Sequence, residues 1–196
     1  MKRLKPVLLF VLFTGLSAFA SDNIPTLFAN RMDRAKMSFT QPDNYTSVPV
    51  IVNGQMSYLY ALKYPDRKFE IRYSVTPLDS LFIQYEAMKK AGSVITTGPN
   101  QLYSGAFMAT VMNLSGGVMP SIREFPKQAV LNEFNADWGA TCIFHVTGAF
   151  GEGYNTCMAV AIHKDNLGDA YIFYLSDNGQ NYQDLLEPAF HALKFK

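Results

Sequence analysis

The sequence predicts an α+β fold: an α/β/α sandwich in which helices cover both faces of a central antiparallel sheet of six or seven strands. Three observations lead there. The apolar rhythm runs strands, then helices, then strands, then a helix, and the late strands are joined by short turns, which favours an antiparallel sheet over a doubly wound parallel one. Two late segments, "TCMAVAIHK" (156–164) and "DAYIFYLS" (169–176), are apolar on both sides, and a strand apolar on both sides is covered on both. Within the first of these, Met158, Val160 and Ile162 make a bulky face. Cys157, Ala159, Ala161 and His163 make a small one, suited to a helix packed close above it.

Residues 21–35 read as irregular or weakly helical, after which period-2 alternation begins. "YLYALKY" (58–64) places Tyr58, Tyr60, Leu62 and Tyr64 on one face, and "KFEIRYSV" (68–75) sets Phe69, Ile71, Tyr73 and Val75 against Lys68, Glu70, Arg72 and Ser74. The "PDR" between them supplies a tight turn, so the pair is expected to form an antiparallel hairpin. The charged face of the second strand predicts exposure on one side, near a sheet edge. Asp79 or Ser80 can start a helix that runs to about Lys90 and stops at Gly92. Phe107, Met108, Val111, Met112 and Leu114 recur at helical spacing over about 104–114, before Gly116-Gly117. A third helix is expected from Pro126 to Asn135, with proline in its first turn. Three strands then follow from Ala140, joined by "GAFGEG" and "DNLG". A closing helix spans about Tyr182 to Ala192, with Pro188 inside it as a source of a kink or a shifted start.

The amino terminus has the form of a secretory signal. Lys2, Arg3 and Lys5 precede an apolar stretch from Val7 to Leu16, and Ala18-Phe19-Ala20 offers a small-x-small cleavage site. The apolar run is shorter than the ~20 residues that span a bilayer, so residues 1–20 are expected to be removed and no membrane span to remain. Cleavage would move the formal charge from +1 to −2. A nearly neutral chain with no basic run argues against nucleic acid as a partner and against an electrostatic membrane foot. The expected organisation is a signal peptide (1–20), an irregular segment (21–35) and a single domain (36–196), periplasmic or secreted. The two cysteines, Cys142 and Cys157, permit at most one disulfide.

The chain resembles the Mog1/PsbP-like group of antiparallel α/β/α sandwiches, in particular its small exported members from Gram-negative bacteria. "MSFTQPDNY" (37–45) corresponds to an opening strand and turn, and "FEIRYSVTPL" (69–78) to the strand that enters the first helix. "GDAYIFYLSDN" (168–178) with "FHALKF" (190–195) corresponds to the last strand and closing helix. The resemblance covers most of 36–196 in rhythm and element order. It implies a domain that docks to protein partners and no shared catalytic residues to carry over.

The most chemically suggestive stretch is "CIFHVTGAFGEGYNTCMAVAIHK" (142–164), with two cysteines and two histidines on adjacent strands. Six residues of strand put Cys157 and His163 about 20 Å apart at ~3.3 Å per residue, and Cys142 and His145 differ by an odd number and so face opposite ways. Only a cross-strand pair such as His145 with Cys157 could join thiol to imidazole, and the scattered parity leaves no convergent zinc set. Cys142 and Cys157 become cross-strand neighbours, able to bridge, if the hairpin centres near 149–150; otherwise they are two small buried thiols. The turn "GAFGEG" lacks the spacing and the following helix of a dinucleotide site. Phe150 at its tip is either tucked over the sheet or offered to a partner. Tyr58, Tyr60 and Tyr64 are a sheet face under a helix or a platform for a sugar or apolar ligand. Glu133, Asp137 and Trp138 mark a helix exit, or two carboxylates beside an indole in the manner of a glycosidase subsite. Asn44 and Asn113 open glycosylation sequons to which no role is attached.

These readings lead to an exported, non-catalytic domain that binds a protein partner or assists an envelope complex, with no cofactor and no metal. The alternative is a carrier of a small lipid, sugar or aromatic ligand in a pocket between helix and sheet. A more distant one is a hydrolase or redox enzyme built on Cys157 and His145.

Overall fold

A computed structural model describes residues 24–94, 97–177 and 182–196. The proposed signal peptide and its cleavage site lie outside them. The described chain is the expected sandwich: five helices around a seven-stranded antiparallel sheet, with a separate two-stranded ribbon. The strands of the main sheet are β2 (Thr46–Ser47), β3 (Tyr60–Lys63), β4 (Phe69–Pro77), β5 (Arg123–Glu124), β6 (Trp138–His145), β7 (Thr156–Lys164) and β8 (Gly168–Ser176), in the spatial order β2-β3-β4-β8-β7-β6-β5. Both outer strands are only two residues long, which leaves little free edge for a foreign strand to pair with.

Side-chain alternation carries two cores, one on each face. On the first face Ile71, Tyr73, Val160, Ile162 and Ile172 meet α1 (Thr26–Arg34), α4 (Lys127–Phe134) and α5 (Gln183–Ala189). On the second, Ala159, Ala161, Phe173 and Leu175 meet α3 (Tyr103–Leu114) through Phe107, Val111 and Leu114. The small residues of β7 therefore lie under a helix, as their size requires. Cover is complete over Val160, Ile162 and Ile172, and it thins at the far end of the first face, where Ile143 is 66% exposed and Met158 half-buried.

Four expectations change. The segment read as irregular or weakly helical contains a regular helix, α1, whose Phe28 and Met32, four residues apart, enter the first core; Lys36, at φ 54°, turns the chain out of it. The opening strand β1 (Met37–Phe39) joins no central strand. It pairs with β9 (Leu193–Phe195), formed where the closing helix was expected to continue. Pro188 lies inside α5 without a break at its own position; the helix ends at Ala189, and Leu193 and Phe195 then pair and bury in β9. The two-residue strand β5 carries no alternation long enough to read.

The fourth change concerns β4, placed by its charges at a sheet edge. It lies third from an edge, between β3 and β8, and Glu70, Arg72 and Ser74 are all buried. The chain continues from this strand through Leu78 into α2 (Asp79–Lys90).

Candidate functional site

The β6–β7 hairpin decides the cysteine question through its register. Cys142 faces Ala159 and Cys157 faces Phe144, so the cysteines sit diagonally on the same face and are both free and buried. The hairpin centres half a residue beyond the range that would have aligned them. Burial pushes the Cys142 thiol up to about 12 and the Cys157 thiol well above its ordinary value. A thiol held protonated in this way is a poor nucleophile. His145 pairs with Thr156 and is exposed on the face opposite Cys157. The structure does not bring that thiol and imidazole together, and among the described residues no group of three or more His, Cys, Asp or Glu is placed to hold a metal ion.

Phe150 points inward and is fully buried, which removes it as a partner contact. Its ring packs edge-on against Phe173 at 5.0 Å and Tyr58 at 5.9 Å. Beneath it lies Arg72, whose guanidinium sits 4.9 Å from the ring centroids of both Tyr58 and Phe150. Arg72 Nε donates to Glu70 Oε1 at 2.6 Å, and Nη1 donates to the Phe150 carbonyl. Tyr154 donates to the other Glu70 oxygen at 3.0 Å. Gln55 Oε1 accepts the Phe150 N–H at 3.0 Å, tying the turn to the 48–57 loop. Arg72 Nη2 has no hydrogen-bond partner among the described residues. The β4 charges are thus sealed under a plug formed by the "GAFGEG" turn. Sequence reading missed this cluster; the only signal was that Glu70 and Arg72 share a face and can pair.

The tyrosine row is split. Tyr60 and Tyr64 belong to the first core and Tyr58, just ahead of β3, to the second, where its hydroxyl accepts the Ile51 N–H at 2.7 Å. A continuous three-tyrosine platform therefore does not form.

A second closed cluster surrounds His163. The buried ring stacks on Tyr103 at 4.2 Å, and Tyr103 in turn lies 4.7 Å from Trp138. His163 Nδ1 meets Asp169 at 2.6 Å and Nε2 meets Asp165 at 3.0 Å. Burial alone would lower its pKa, but hydrogen bonds to Asp169 and Asp165, reinforced by their charge, outweigh burial and raise it. Asp137 accepts the Asp165 N–H at 2.9 Å, while Glu133 pairs with exposed His191 at 2.9 Å. The two carboxylates of the imagined glycosidase subsite are thus occupied by different partners.

Two features remain open. Helix α2 has no buried residue along its 12 positions. Ile83 is 72% exposed and Met88 47%; Leu81, Phe82 and Tyr85 are half-buried. Arg34 fastens its first turn, Nε donating to Asp79 at 2.7 Å and Nη2 to Ser80 at 2.8 Å. That contact holds the Asp79 carboxyl at about 2, chiefly through the Arg34 hydrogen bond. A shallow surface along Phe82, Ile83 and Ala87 is bordered by Glu86 and Lys90. The other open feature is a cleft of about 240 Å³ between α5 and the thin end of the first face, floored by Phe69, Met158 and Tyr174 and walled by Tyr182 and Leu186. Sequence periodicity cannot register either, because both depend on which apolar residues the finished fold leaves uncovered.

Compared with known proteins, the chain matches no family model and no curated protein.

Proposed function

We propose that this chain is a non-catalytic exported domain that docks onto an envelope protein by laying α2 into an apolar groove of that partner. The observation that carries the reading is a three-turn helix with apolar side chains and no buried residue. Large apolar groups left in water favour association, and helix-in-groove recognition uses anchors at the helical spacing that Phe82, Ile83 and Ala87 display. Lys89 pairs with Glu86 on the helix itself at 3.6 Å, and Lys90 at the carboxyl end calls for an acidic group on the rim of the receiving groove. Export rests on the amino-terminal signal pattern, and the sandwich architecture fits the Mog1/PsbP-like resemblance.

The test is a photo-activatable residue at Ile83, with the same residue at exposed Lys127 as control, irradiated in intact cells. A discrete adduct formed at 83 and absent at 127, lost when Phe82 is changed to Ser, supports the reading. Equal or absent adducts at the two positions refute it.

A further inference from the structure

We infer that the cleft beneath α5 and the groove continuing from it form a binding site for a small amphiphilic carboxylate, a medium-chain acyl or arylalkyl acid. The apolar end is built by strand register. Ile143, Met158 and Tyr174 are successive partners across β6, β7 and β8, one row on one face of the sheet. Phe69 and Tyr174 stack at 6.3 Å, Phe69 and Tyr182 at 5.3 Å, so the apolar end offers flat aromatic surface. None of the described residues lining this end is charged. At about 240 Å³ it exceeds the ~150 Å³ cavity that accepts a benzene ring.

The polar end follows from the same register. Arg123 of β5 is the partner of Thr141, two residues before Ile143 and on its face. A groove of about 330 Å³ lined by Arg123, Ser121 and Thr141 shares Ile143 and Met158 with the apolar cleft. The two therefore adjoin, meeting at Ile143 and Met158. From β5 to β8 there are three inter-strand spacings, about 14 Å at ~4.8 Å each, the reach of a medium-length chain lying across the strands. Arg123 is exposed, and its side chain makes no ion pair or hydrogen bond with another described residue. A guanidinium takes a carboxylate through paired N–H bonds, and Ser121 adds a hydroxyl donor beside it, the Thr141 hydroxyl being already given to the Ala159 carbonyl at 2.9 Å. The occupant thus has an uncharged tail against Tyr182, Leu186 and Met158 and an anionic head at Arg123. Ile143, two-thirds exposed at the junction, is the large apolar side chain that such a tail would cover.

The experiment is calorimetric titration of the full chain with octanoate and, separately, with octanol. Both are expected to bind, octanoate more tightly. Arg123→Gln weakens octanoate by about tenfold or more, the loss of a charge-assisted contact, and leaves octanol unchanged. Ile143→Asp, at an exposed position that does not endanger folding, abolishes both. The proposal is overturned if octanoate gives no saturable heat, if Arg123→Gln binds it as tightly as the unaltered chain, or if Ile143→Asp retains both ligands.

Discussion

Residues 69–90 contain, end to end, two regions sorted against the usual rule. In β4 the charged Glu70 and Arg72 are inside; in α2, directly after it, Ile83 and Met88 are outside. The strand tolerates its charges because they satisfy one another and because the 148–151 turn supplies a carbonyl and an aromatic lid. The helix has no corresponding lid within the described chain. Burial is therefore decided by whether some other segment arrives with complementary chemistry, and not by the polarity of a side chain alone. For β4 that segment is 78 residues downstream, from Arg72 to Phe150; for α2 we look for it on another molecule.

The comparison breaks most forcefully at Arg72. Arg72→Ala leaves Glu70 buried and uncompensated and the Phe150 carbonyl unpaired, so a loss of about 3–5 kcal/mol is expected by urea denaturation. Restoring part of that loss with Glu70→Gln in the same chain would show that the buried charge, and not lost packing, dominates. Next comes the lid. A Cβ at Gly151 would lie 2.8 Å from Val146 Cγ2, so Gly151→Ala should lower stability by about 1–3 kcal/mol through overpacking.

His163 offers a pH-dependent measure of how a closed polar cluster holds. Facing it are the carboxylates Asp169 and Asp165 and the aromatic rings Tyr103 and Trp138. Its folded-state pKa is raised, so the imidazolium favours the fold. That contribution is complete below the unfolded value of about 6.5 and is lost as pH rises through the higher folded value. The stability gap between the unaltered chain and His163→Gln should accordingly be larger at pH 6 than at pH 9. Equal gaps at both would remove the charge from the account. The smallest stability effect belongs to α2. The pair Ile83→Ser and Met88→Ser should move the melting midpoint by no more than ~0.5 kcal/mol equivalent, because both side chains are already in water. Ala87→Asp, made in the chain that carries the photo-activatable residue at 83, should leave stability equally unmoved and abolish the photo-adduct, which separates a docking helix from a merely underpacked one.

Most of the fold could be read from the sequence because its late strands are apolar on both sides and its turns are short. Val160, Ile162, Phe173 and Leu175 all lie where alternation puts them. The errors share one cause. Glu70 and Arg72 imply an exposed face only if nothing distant covers them, and the covering turn is invisible to a local pattern. Likewise Leu193 fits a helical period as well as a strand, and its pairing with Phe39 is a contact 154 residues long that periodicity does not encode. The disulfide turned on a one-residue shift of the hairpin centre. Within the candidate sites, residue types were legible and their neighbours were not. Phe150 is the clearest case: the sequence leaves it either tucked over the sheet or offered to a partner, and the fold tucks it in, where it closes the arginine cluster.

The unbridged state of Cys142 and Cys157 has a practical consequence for making the protein. Its architecture needs no electron acceptor, so a host cytosol rich in glutathione should yield the same molecule as an oxidative folding machinery. Dithiothreitol should leave the melting curve in place. The sulfur content of this chain is consequently uninformative about the cellular address at which it matures.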